Sequence, residues 1–153
     1  MKTLEELLNF AYEFQSAAIS GSSPHEVSMP YFIGENSEGE LFVCAIASWD
    51  GESKNKIMAN IRQHFREVGV VQYVTASEAW KTSHPKDVDL SEIGRPSEDP
   101  RREDCLICGA AHKDGRKLVK FARIVVADDN KRHIEPLEEE LGSLGGSMLS
   151  LLE

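Results

Sequence analysis

Apolar positions recur along this chain in two rhythms, and the places where the rhythm changes mark the elements. Over residues 3–20 the apolar residues Leu4, Leu7, Leu8, Ala11, Phe14, Ala18 and Ile19 fall on one face at helical spacing. Thr3 and Glu6 have capping-box spacing, in which each side chain satisfies an orphan amide of the first turn. Ser20-Gly21 supplies the stop. A second helix is predicted over 53–68, capped by Ser53, with Ile57, Met58, Ile61, Phe65 and Val68 as its buried stripe and Gly69 as its end.

The segments between and after these helices read as strands. "VSMPYFIGEN" (27–36) is a first strand, with Pro30 at an edge or at the strand start. "LFVCAIASW" (41–49) is almost wholly apolar, which predicts a central strand buried on both faces, with Cys44 a small buried hydrophobe inside it. "VVQYVTASEAW" (70–80) is rich in β-branched and aromatic residues and gives a third strand. A polar, proline-containing stretch, 81–102, follows; loops of that length usually carry function or are disordered.

"REDCLICGAAHKDGRKLVKFARIVVA" then reads as a hairpin. Asp114-Gly115 predicts a two-residue type I′ turn, pairing Lys113 with Arg116, Ala111 with Leu118, Cys108 with Phe121 and Cys105 with Ile124. From Ile134 onward, Leu137, Leu141, Leu144, Met148 and Leu151 follow a heptad, with Glu138, Glu139 and Glu140 placed to suit a helix start after Pro136. Gly142, Gly145 and Gly146 weaken such a helix by about 1 kcal/mol each. The expected fold is α+β: a single five-stranded, mainly antiparallel sheet with helices 3–20 and 53–68 packed on it, in the order α-β-β-α-β-β-β-(α). Residues 1–133 form one domain in this reading, and 134–153 a marginal helix or tail.

Composition narrows the function classes. The chain has 153 residues, 41% hydrophobic and 28% charged, ordinary values for a globular domain that folds without a staple. A formal charge of −9 argues against a protein built to grip phosphate backbone, so nucleic acid is not the expected partner. No run approaches the roughly 20 apolar residues of a membrane span. The N-terminus lacks the long apolar core of a signal peptide, and three cysteines, an odd number, suit free thiols, so a cytoplasmic location is expected.

Cys105 and Cys108 have C-x-x-C spacing, with His112 four residues on, so a zinc knuckle competes with the hairpin reading. In a strand, residues three apart point to opposite faces, so the two sulfurs cannot share an ion. No second ligand pair follows, and His25, His64, His84, His112 and His133 are isolated. "HIE" at 133–135 follows the C-x-x-C rather than preceding it, against the order of a zinc deaminase. No phosphate loop, dinucleotide fingerprint, nucleophile elbow or zinc-protease motif is present. No metal and no cofactor is expected, and zinc binding stays a minor alternative.

The strongest candidate site is the end of the third strand with the segment after it. Glu78 shares a face with Val74, Ala76 and Trp80, and a carboxylate on an apolar face needs a cation or a task. In the functional reading Glu78 is a general acid or base, or an anchor for a cationic group, with Trp80 as a stacking surface. In the structural reading it is a buried ion pair with Arg95, Arg101 or Arg102, above all Arg102. His84, before Pro85, completes the candidate binding set of Glu78, Trp80, His84, Arg95, Arg101 and Arg102, and no catalytic residue is assigned.

"VTASEAW", a polar loop, "RPSEDPRRED" and a strand-hairpin-strand together resemble a group of small bacterial and phage-associated proteins of unknown function, over roughly residues 28–127. The resemblance puts weight on Ser77, Glu78, Trp80, Pro96, Ser97, Pro100 and Arg102, but it implies no activity. The element order is also similar to that of roadblock, longin and profilin-like domains, which implies a dimerising platform by analogy alone. The expected function is a non-catalytic binding or regulatory module acting as a homo-oligomer, with a protein or small-molecule partner that the sequence does not identify. The alternative is a small enzyme using Glu78 and the 81–102 segment on a polar or cationic substrate.

Overall fold

Helix α1 spans Leu4–Ile19, and its start is the expected capping box: the Glu6 amide donates to Thr3 Oγ1 at 3.1 Å, and the Thr3 amide to the Glu6 carboxylate at 3.3 Å. In the computed structural model, which describes residues 1–46, 51–81, 103–136 and 151–152, the remaining elements are β1 (Tyr31–Asn36), β2 (Leu41–Ala45), α2 (Gly51–Val68), β3 (Val70–Lys81), β4 (Glu103–His112), β5 (Lys117–Val126) and β6 (Arg132–Pro136). The α+β class, the single antiparallel sheet and its two helices agree with the pattern reading. The sheet has six strands rather than five, in the order β2-β1-β3-β4-β5-β6.

The sixth strand comes from the segment assigned to the tail helix. Ile134 lies in β6 opposite Ile124 and packs on the core beneath α1. Its apolar side chain fits either period, and Pro136, which suits a helix start, equally suits the end of an edge strand. The domain therefore runs past the expected boundary at 133. Leu137, Leu141, Leu144 and Met148 lie outside the described residues. Leu151 is buried on the α2 side of the sheet, its amide donating to Tyr73 Oη at 3.3 Å.

Strand β2 departs furthest from expectation. The apolar run at 41–49 predicted a central strand, yet β2 is an edge, paired only with β1 among the described residues. Its exposure alternates, with Leu41 42% and Val43 66% exposed. Helix α2 begins at Gly51, so Ser53 lies inside it rather than capping it. Its stripe is as expected: Met58, Ile61 and Phe65 are buried, and Ile57 and Val68 pack beside them.

The β4–β5 hairpin forms with its register one residue from the predicted one. Its loop has three residues, Lys113-Asp114-Gly115, closed by the His112 amide donating to the Arg116 carbonyl at 2.9 Å. Gly115 takes φ +100°, the left-handed position that such a loop requires. Cys108 consequently opposes Lys120 and Cys105 opposes Arg123. Because side chains alternate, this slip puts Leu118, Ala122 and Ile124 on the α1 face instead of Phe121.

Two cores result. Beneath α1 lie Val74, Ala76, Leu106, Cys108, Ala110 and Ala122. Beneath α2, against its Phe65, lie Phe32, Tyr73 and Ala111. The helices are offset: α1 lies chiefly over β3, β4 and β5, while α2 packs at the β1–β3 end of the opposite face. At the β2 end, the α1 side of the sheet is left open among the described residues.

Candidate functional site

Glu78 sits on the α1 face of β3, in line with Val74 and Ala76 as expected, and it is paired. Among the described residues its cation is Arg132 at the start of β6, a partner the sequence reading did not name; the expected Arg95, Arg101 and Arg102 lie outside those residues. The guanidinium donates through Nη1 to Oε1 and through Nη2 to Oε2, the latter at 3.3 Å. The amide and hydroxyl of Ser28 both donate to Oε2. Arg132 Nε donates to Ser22 Oγ at 2.8 Å, and that hydroxyl donates to the carbonyl of Ile19 at the end of α1. The Arg132 and Glu78 side chains are 6% and 12% exposed, so this is a largely buried pair, with both carboxylate oxygens and all three guanidinium nitrogens engaged. It ties α1, the 20–28 segment, β3 and β6 together.

A cleft of about 310 Å³ lies beside the pair, lined by Pro24, Glu26, Val27, Ala79 and Asp104 with Glu78 and Arg132. His84, Arg95, Arg101 and Arg102 lie outside the described residues, as does the side chain of Trp80, whose backbone pairs with Asp104. Of the expected set, Glu78 alone is placed with its side chain. Arg132 was missed because "KRH" at 131–133 falls where the heptad reading put the start of the tail.

The C-x-x-C thiols lie on opposite faces of β4. Cys108 joins the cluster under α1, while Cys105 shares the parity of Ala111, which packs on the α2 side. Both are buried, and they cannot meet at one ion. Burial pushes the Cys108 thiol up to about 12, against the opposing pull of Lys120. It is a protonated core residue at neutral pH.

A larger concavity lies elsewhere. A groove of about 490 Å³ runs between α1 and the open end of the sheet. Phe10, Phe14 and Ala18 form one wall, Met29 closes an end, and Tyr31, Ile33, Val43 and Ala45 make the floor. Phe14 meets the Tyr31 ring edge-on at 5.9 Å, and Tyr31 Oη donates to the Ala11 carbonyl at 3.1 Å. Burial raises the Tyr31 hydroxyl well above its ordinary pKa, so it stays a donor. Phe10, Phe14, Met29 and Val43 are all exposed, a contiguous apolar patch of the kind that marks a contact or ligand surface.

One polar group in this groove is out of place. Gln15 lines it, is 2% exposed, and its Nε2 is buried with no hydrogen-bond partner among the described residues. Leaving such a donor unpaired costs about 1–3 kcal/mol. A signal for it was in the sequence: Gln15 stands four residues from Ala11 and from Ile19, on the apolar stripe of α1. By contrast Glu35, also buried on this face, is engaged. It accepts from Gln72 Nε2 at 2.6 Å and from the Lys2 amide at 3.2 Å.

Comparison with protein-family models, curated proteins and solved structures finds no match to the chain. Among the described residues no helix is long and apolar enough to cross a membrane.

Proposed function

We propose that this protein is a non-catalytic binding or regulatory module that acts as a homo-oligomer, joined edge to edge through β2. The observation that carries this reading is an apolar strand in an exposed place. β2 reads Leu-Phe-Val-Cys-Ala, with no charge and no proline to guard it. The opposite edge, β6, is guarded, reading Arg-His-Ile-Glu-Pro.

The hydrogen-bond pattern supports it further. The Asn36 amide bonds to the Glu40 carbonyl and the Ile46 amide to the Pro30 carbonyl. Antiparallel alternation then directs Phe42 and Cys44 inward to β1, and the N–H and C=O of Leu41, Val43 and Ala45 outward. A second copy pairing antiparallel through these groups would turn β2 into an interior strand, the environment its sequence suits. Light scattering tests this. The chain should read as twice its mass at micromolar concentration and as a monomer when Val43→Pro removes an outward N–H without touching the ladder to β1. A monomer that stays monomeric up to millimolar concentration would remove the proposal.

The enzyme reading rests on the cleft beside Glu78. There Arg132 and Ser28 occupy both carboxylate oxygens, so the group would have to be released before it could move a proton. Among the described residues the edge of β2 has no such obstacle, and it is the better supported site.

A further inference from the structure

We propose that the groove between α1 and the β1–β2 end of the sheet binds an uncharged, mostly apolar small molecule whose carbonyl or similar acceptor oxygen takes an N–H of Gln15, which has no partner among the described residues. Its volume, about 490 Å³, lies within the range of small-molecule sites. The composition of its walls sets the ligand's class. None of the ten lining residues is charged, so a charged ligand would enter without a counter-charge, at a large desolvation cost. Eight are apolar or aromatic, leaving Gln15 and Ser28 as the polar groups. The Ser28 hydroxyl is already spent on Glu78, and so offers a ligand only its oxygen. Gln15 is different: its Nε2 has almost no solvent-accessible area and no hydrogen-bond partner among the described residues, so a shift of this side chain towards the groove would give it the acceptor that it lacks. A donor held in that state against an apolar cleft selects an acceptor on the occupant. Phe10 and Phe14, stacked at 6.5 Å, give a planar ligand two rings to lie against. All lining residues come from one copy of the chain, so the site does not rest on edge pairing.

Two dyes separate the parts of this proposal. Nile red is uncharged, largely apolar and carries a ring carbonyl; diphenylhexatriene is a hydrocarbon with no acceptor. Fluorescence titration of the full chain should give saturable binding of Nile red, one per chain, with light scattering recorded on the same samples. Gln15→Met keeps the side-chain length and removes the donors. It should weaken Nile red at least fivefold and leave diphenylhexatriene within twofold. Ala18→Trp, at an exposed position in the wall, should abolish binding of both with the circular-dichroism melt unchanged. Absence of saturable binding, equal effects of Gln15→Met on both dyes, or indifference of both to Ala18→Trp would overturn the proposal. So would loss of Nile red as protein concentration rises, which would mean that a second copy fills the groove. Should Gln15→Met fail to fold, the Ala18→Trp titration decides alone.

Discussion

Glu78 has the features of a functional carboxylate in sequence and of a structural one in space. What separates the two is a partner fifty-four residues away, Arg132, whose side chain reaches it from the far edge of the sheet. Removing only the cation leaves a largely buried charge unmatched, so Arg132→Met should cost about 3–5 kcal/mol in urea denaturation. The double variant Arg132→Met, Glu78→Leu should recover most of that loss. If the single variant is neutral, the pair does not hold the fold together. Cys108 gives a second test at this scale. Its folded pKa is raised by burial to about 12 from 9.0, so above pH 9 the unfolded chain gives up a proton that the folded chain keeps. That group's contribution is complete below pH 9, then falls by about 1.4 kcal/mol per pH unit towards pH 12. Unfolding free energy should therefore decline from pH 9 to pH 10, and Cys108→Ala should flatten the slope. An unchanged slope would place the alkaline loss elsewhere; Cys44, Tyr12 and Tyr31, whose pKa values burial also raises, are among the other sources.

The elements show where a hydrophobic pattern is sufficient and where it is not. Helices α1 and α2 were legible because a periodic stripe repeats over several turns, and the Thr3–Glu6 box marks its own start. The β4–β5 hairpin was legible but its register was not. Asp-Gly suits two loop lengths, and His112–Arg116 closure selects the longer one. β6 was hidden because five residues with one apolar centre fit a helix as readily as a strand. Gly34 is a packing position that sequence alone could not reveal. A Cβ there would meet Val70 Cγ2 at 2.8 Å and Phe65 Cε1 at 2.9 Å, both part of the core that seats α2 on β1 and β3. Gly34→Ala should destabilise the protein by about 1–3 kcal/mol, seen as a lower urea midpoint with an unchanged slope. A neutral result would mean that α2 yields easily at this contact.

For the whole molecule, the misreading of β2 is the informative one. Its run of apolar residues predicts neighbours on both sides, and among the described residues the sheet supplies β1 on one side only. Pairing of two copies through β2 would reconcile pattern with topology. It would also extend the floor of the apolar groove from one copy into the next, because Val43 and Ala45 line both features. Candidate chemistry was less legible than the fold, since Gln15 and Arg132 act through groups that the chain brings together only when folded. The most direct test is hydrogen exchange of the β2 amides, resolved by residue. Phe42 and Cys44 donate inward and should be protected in any state. In the pairing proposed, Leu41, Val43 and Ala45 are protected as well at high concentration and lose that protection on dilution or in Val43→Pro. Alternating protection at every concentration, with Leu41, Val43 and Ala45 exchanging freely beside protected Phe42 and Cys44, would contradict it.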